Sequence, residues 1–114
     1  MTVDEIVKQA DLQVRAASDQ LDAEVTGGYV GDLLSAVMAN ARLGNIWVTW
    51  HVHPNIVAVA VMVKVAAIVL ISGREPEAET IRKAEQEGVP ILITKLSAFE
   101  LVGRLHGMGI SGLQ

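Results

Sequence analysis

His51 and His53 stand two residues apart in an extended-looking stretch, a spacing that places two imidazoles on the same side of a strand. Together with Asp32 they would offer nitrogen and oxygen ligands to a divalent metal, and a metal-dependent enzyme is one reading of the chain. A hydrogen-bonding role for the pair is the commoner outcome, so no metal is assigned. Thr26-Gly27-Gly28-Tyr29-Val30-Gly31 is the second candidate. Its glycines would let backbone N–H groups approach an anion at the start of a following helix, although a tight strand-to-helix turn needs the same glycines. Arg74 beside Glu75 offers a guanidinium to an anionic ligand or to a surface ion pair. Ser97 with Glu100 reads as a helix-capping box before it reads as a nucleophile, and His106 sits where a helix C-terminus would favour it.

Several chemistries are excluded. The chain of 114 residues has no Cys, hence no thiol nucleophile, thiolate zinc site or disulfide. No G-x-x-x-x-G-K-[ST] is present, so nothing cradles a triphosphate as a P-loop does. Gly107-Met108-Gly109-Ile110-Ser111-Gly112 matches the dinucleotide fingerprint in letters only, because it follows a helix and not a strand. Nine basic residues against 13 acidic ones argue against nucleic acid as a partner. No cofactor is implied. The apolar run from Ile56 to Ile71 is shorter than the ~20 residues of a membrane span and carries Lys64 at its middle. No membrane association is expected. Asp4 and Glu5 precede any apolar run, which argues against a secretory signal and for a cytoplasmic protein.

These residues must be positioned by regular elements, and the hydrophobic pattern predicts them. Thr2 and Glu5 open a short helix to about Ala10; Leu12 to Ala16 and Leu21 to Val25 read as weak strands. Val30, Leu33, Leu34, Val37, Met38 and Ala41 lie on one helical face, and Gly44-Asn45 ends that helix. Asn45 to His51 is a strand buried on both faces, with Trp47 and Trp50 on opposite sides. Pro54 to Val63 is apolar throughout; periodicity alone leaves helix or strand open, and the crossover between two buried strands argues for helix. Strand Ala67 to Ile71, charged helix Pro76 to Glu87 with a Glu79–Lys83 pair, strand Val89 to Thr94 and a helix capped by Ser97 complete the order. Such alternation is an α/β domain with a largely parallel sheet, one domain over residues 1–114.

In a parallel sheet, the loops at the strands' carboxyl ends share one edge, where ligands usually bind. The candidate ligand residues are therefore Thr26, Gly27, Gly28 and Tyr29; His51, His53 and Asn55; Ser72, Gly73 and Arg74; and Thr94 and Ser97.

From Val25 to Ile110 the chain resembles the DRTGG-domain family. The stretches that carry the resemblance are Thr26 to Ser35, His53 to Ala60, Ser72 to Pro76 and Leu96 to Leu101. They are most similar to the stand-alone DRTGG proteins found beside iron-only hydrogenase genes. The resemblance implies a fold like the N-terminal domain of HPr kinase/phosphorylase, without the kinase domain. DRTGG domains also occur inside phosphotransacetylases and CBS-containing pyrophosphatases, where they look like regulatory or dimerising inserts. The chain departs from the wider family at Ser72-Gly73-Arg74, where Thr-Gly-Gly is usual, and around His51-Val52-His53-Pro54, where Asp-Arg is expected.

The leading expectation is thus a non-catalytic regulatory or interaction module, with a hydrogenase-related protein as possible partner. A sensor for an anionic, nucleotide-like ligand at the loop edge is the alternative, ahead of the metal enzyme. A hydrophobic content of 51% with a further 10 glycines, high for so short a chain, favours a homodimer. The small-residue flank Ser35, Ala36, Ala39 and one of the two tryptophans are expected near its interface.

Overall fold

The computed structural model describes residues 1–112. Strands β3 (Asn45–Thr49) and β4 (Ala67–Leu70) are buried at every position, as the apolar run of β4 and the apolar centre of β3, Ile46 to Val48, require of a sheet covered on both faces. Strand alternation then sorts the side chains into two cores. Trp47, Ile68 and Leu70 join one; Ile46, Val48, Ala67 and Val69 join the other. The first core is closed by α2 (Leu34–Asn40), α3 (Asn55–Val63) and α4 (Ala78–Glu87), through Val37, Ile56, Val59, Ala60 and Ala84. The second is closed by α1 (Val3–Gln9) and α5 (Ala98–Gly107), through Val3, Ile6, Leu101 and Leu105.

The sheet order is β1-β5-β4-β3-β2, where β1 is Gln13–Ala16, β2 is Gly27–Val30 and β5 is Ile91–Ile93. Strands β2 to β5 run parallel; β1 lies antiparallel on β5. Each parallel crossover steps in the same direction, which puts α2, α3 and α4 on one face. The molecule is an α/β domain with a five-stranded, mostly parallel mixed sheet.

The apolar run Ile56 to Ile71 divides where Lys64 adopts a left-handed conformation, φ 66°, as the C-cap of α3. Among the described residues no helix is long and apolar enough to cross a membrane. Residues 54–63 are thereby helix and not strand. Thr2 and Glu5 form a complete capping box. Ser97 accepts the Glu100 N–H at 3.3 Å, but the reciprocal bond, from the Ser97 N–H to the Glu100 carboxylate, is absent among the described residues. Glu79 pairs with Arg82 (Nε to Oε2, 2.9 Å) and not with Lys83.

Two expectations about element bounds fail. Leu21 to Val25 is not a sheet strand. The Leu21 and Ala23 carbonyls accept the first N–H groups of α1, from Asp4 (2.9 Å) and Val3 (3.1 Å), donors that a helix start leaves without intrahelical partners. The second helix begins at Leu34 and not at Val30. Val30 pairs with Val48 in β2, and Leu33 is 69% exposed, so their helical spacing is coincidental. The two tryptophans take opposite sides of the sheet, as expected. Trp47 is fully buried, and Trp50 packs against the core on the opposite side of the sheet.

Candidate functional site

At the carboxyl edge, Asp32 organises the β2–α2 and β3–α3 loops. One of its carboxylate oxygens accepts the Thr49 hydroxyl at 2.6 Å and the Trp50 backbone N–H at 2.9 Å. The Asp32 carbonyl lies 2.6 Å from His51 Nε2; a carbonyl only accepts, which puts the ring proton on Nε2. The His51 N–H in turn donates to Thr49 Oγ1 at 3.2 Å. His53 does something different: its Nδ1 accepts the Asn55 N–H at 3.1 Å at the start of α3, where Pro54 has no side-chain acceptor to give.

The fold therefore brings Asp32 and His51 together, as a metal site would need, but sets His53 to a separate task. Among the described residues no group of three or more His, Asp or Glu side chains is arranged to hold a metal ion. A hydrogen-bonded loop clasp accounts for the bonds that Asp32 and His51 make.

Ser72 and Gly73 form the corner of a turn closed by the Arg74 N–H on the Ile71 carbonyl, 3.1 Å. Their own N–H groups donate to the Leu96 (2.8 Å) and Thr94 (3.0 Å) carbonyls, tying the β4–α4 loop to the β5–α5 loop. Backbone donors already bonded in this way are not free to cradle an anion. Thr94 Oγ1 accepts the Leu96 N–H, and Ser97 caps α5. Arg74 and Asn55 are exposed, and Arg74 makes no ion pair among the described residues.

Glu75 turns instead to Arg15 on β1, in a bidentate pair of 2.9 and 3.0 Å. The Arg15 hydrogen bond holds the Glu75 carboxyl below its ordinary value.

Thr26, Gly27, Gly28 and Tyr29 are not in a carboxyl-end loop. Gly27 stands opposite Asn45 at the amino end of the sheet, and Tyr29 pairs with Trp47 within it. The Thr26 hydroxyl donates to the Leu43 carbonyl at 2.7 Å, and the Gly28 N–H donates to the Ser111 carbonyl at 2.9 Å. A Cβ on Gly27 would come within 2.8 Å of that same carbonyl oxygen. These glycines admit the C-terminal segment beside an edge strand. The helix dipole invoked for them begins only at Leu34, beyond Gly31 and Asp32.

Sequence reasoning missed a cleft at the same carboxyl edge, between β1 and the β5–α5 loop. It has a volume of about 430 Å³, and its wall includes Asp11, Gln13, Arg15, Glu75, Lys95 and Arg104. Of the residues nominated from sequence, Gly73 and Thr94 line it. The signal was available in one place only. Arg15 alternates with apolar neighbours along β1, but that it reaches Glu75 and lines the same cleft as Lys95 depends on the antiparallel pairing of β1 with β5.

A family model for the DRTGG domain matches residues 5–108. The chain belongs to the DRTGG-domain family. The match extends the resemblance back over α1 and β1. No curated protein matches the chain. Among solved structures, the DRTGG domain is similar to the CBS and DRTGG domains of the regulatory region of a Clostridium perfringens pyrophosphatase, complexed with its activator diadenosine tetraphosphate. The TM-score is 0.69 at 14% identity, over 91% of this chain and 45% of that one. The present chain thus spans under half the length of that relative, and the likeness establishes the fold.

Proposed function

We propose that this DRTGG domain is a non-catalytic regulatory module that works as a homodimer and acts on a protein partner of an iron-only hydrogenase system. The observation that carries the reading is how the carboxyl edge uses its polar groups. Asp32, Thr49, His51, His53, Thr94 and Ser97 all hold loops or cap helices, and among the described residues no group of three or more His, Asp or Glu is arranged to hold a metal ion. The regulatory setting of the pyrophosphatase relative supports the same reading. The hydrogenase link rests on the resemblance of Thr26 to Ser35, His53 to Ala60, Ser72 to Pro76 and Leu96 to Leu101, taken together, to the stand-alone members of the family.

Support for self-association comes from apolar side chains left in water. Leu33 (69% exposed), Met38, Val61 and Met62 (70%) belong to α2, its N-cap and α3, helices that share one face of the sheet. A helix as apolar as α3 is expected to be covered on every side.

The test is sedimentation equilibrium of the pure protein at micromolar concentration, followed by mixing with a purified iron-only hydrogenase from the same genome. A dimer that forms a stoichiometric complex supports the proposal. A 12.2 kDa monomer with no concentration dependence sinks the dimer, and the absence of a complex sinks the hydrogenase link. Phosphoryl transfer from ATP to a carrier protein is expected to be undetectable.

A further inference from the structure

We infer that the cleft between β1 and the β5–α5 loop binds a small monophosphate ester carrying hydroxyl groups, with Lys95 and Arg104 taking the phosphate and Asp11 and Gln13 the hydroxyls. Its role as an effector site rests on the regulatory reading above; the binding itself does not. At about 430 Å³ the cleft falls in the range of small-molecule sites, and it opens on the edge of the sheet where α/β domains usually bind ligands.

Charge identifies the ligand class. The whole chain carries a net charge of −4, yet cations from three separate elements meet here: Arg15 from β1, Lys95 from the β5–α5 loop and Arg104 from α5. Arg15 is occupied by Glu75. Lys95 and Arg104 have no carboxylate within 4.0 Å among the described residues. They are the side chains in the wall suited to an anionic group, Lys as a point charge and Arg as a planar fork.

The carboxylates narrow the class further. Glu75 is neutralised by its bidentate pair, but Asp11 has no ion-pair partner and lines the same wall. A polyphosphate would set several like charges near it, whereas a sugar hydroxyl would give it a hydrogen bond. One phosphate with a hydroxyl-bearing body suits a wall that carries both kinds of group.

The backbone also points to a formed site. Val14 pairs with Leu92 and Ala16 with Ile91, so Arg15 is the extra residue of a β-bulge. Bulges re-aim side chains and are common beside binding sites. The neighbouring N–H groups of Ser72, Gly73 and Leu96 are already bonded, so recognition of the phosphate falls to side chains.

The experiment is a titration of the full chain with ribose 5-phosphate, followed by amide chemical shifts and calorimetry, with ribose and inorganic phosphate as comparison probes. Saturable binding of ribose 5-phosphate is expected, with shifts at Asp11, Gln13 and Lys95 and no binding of ribose at the same concentration. Lys95→Gln and Arg104→Gln should each weaken it at least tenfold, and Lys83→Gln, on the outer face of α4, should leave it unchanged. All three positions are exposed, so the variants should melt with the parent protein. No saturable binding, shifts confined to other surfaces, or equal affinity in the Lys95 and Arg104 variants would overturn the inference. Inorganic phosphate binding as tightly as the ester would overturn the role given to Asp11 and Gln13. Binding by a monomeric protein would leave this site standing while the dimer fails.

Discussion

Asp32 shows how much of two loops a single residue holds together in this molecule. One oxygen accepts both the hydroxyl of Thr49, which has no exposed surface, and the N–H of Trp50. Asp32→Ala would leave both donors without an acceptor in a partly buried place. Each such loss costs about 1–3 kcal/mol, so the variant should lose on the order of 2 kcal/mol or more in urea unfolding. A loss below about 0.5 kcal/mol would show that water replaces the carboxylate freely. Glu75 answers to pH. Its folded value is depressed by Arg15, so the pair contributes stability that is present above the ordinary Glu value of 4.5 and lost as pH falls below it. Glu75→Gln should therefore lower the melting temperature slightly at pH 7, and the gap should close in the acid range. Glu75 is exposed and Arg15 only half-buried, which keeps the effect small and salt-sensitive. A gap that persists at low pH would assign the stabilisation to something other than charge.

At the scale of elements, the junction before β3 illustrates a constraint that spacing does not reveal. Gly44 has φ 81°, and a Cβ there would lie 2.7 Å from Thr26 Cγ2. Gly88, the C-cap of α4, is also left-handed at φ 69°, but its nearest neighbour would be 3.7 Å away. Ala at position 88 meets only the backbone cost, about 1 kcal/mol, while Ala at 44 adds a clash beside the amino end of the sheet. Gly44→Ala should thus be the more destabilising in chemical denaturation, and equal losses would show that Thr26 moves aside. The second helix teaches a related lesson. Val30, Leu33, Leu34, Val37, Met38 and Ala41 keep perfect helical spacing, yet Val30 is taken by the β2–β3 ladder and Leu33 by the loop. Sheet pairing outweighs a periodic pattern here, because the first residue of that pattern, Val30, lies in register with Val48.

For the whole molecule the α2–α3 face is the surface that bears on association. Met62 and Leu33 are among its most exposed apolar residues, and Ala36 and Ala39 provide a flank of small side chains on α2. In a dimer built on this face, Ala36→Glu or Met62→Glu would bury a charge without a partner. Either variant should shift sedimentation equilibrium toward the 12.2 kDa monomer while changing the monomer's own stability little, since neither side chain belongs to a core cluster. Unchanged association in both would move the interface elsewhere. A twofold arrangement is the commonest closed solution for such a face.

The amino-acid order by itself determined the α/β alternation, the two fully buried central strands, the caps at Thr2 and Ser97, and the break at Lys64. These are decided within a few residues, by side-chain periodicity, hydroxyl acceptors and backbone conformation. It also carried the family resemblance that the match over residues 5–108 made firm. Tertiary structure alone decided what stands beside what. The placement of β1 antiparallel on β5 joins residues about eighty positions apart in the chain, and with that pairing the cleft acquires Arg15 beside Lys95. The passage of Ser111 over Gly27 and Gly28 turns an apparent anion loop into an edge strand. The Asp32 clasp, likewise, needs two loops that come together only when β2 and β3 pair side by side. Local spacing carries no information about which strand will be the neighbour, and here the neighbour decides the role.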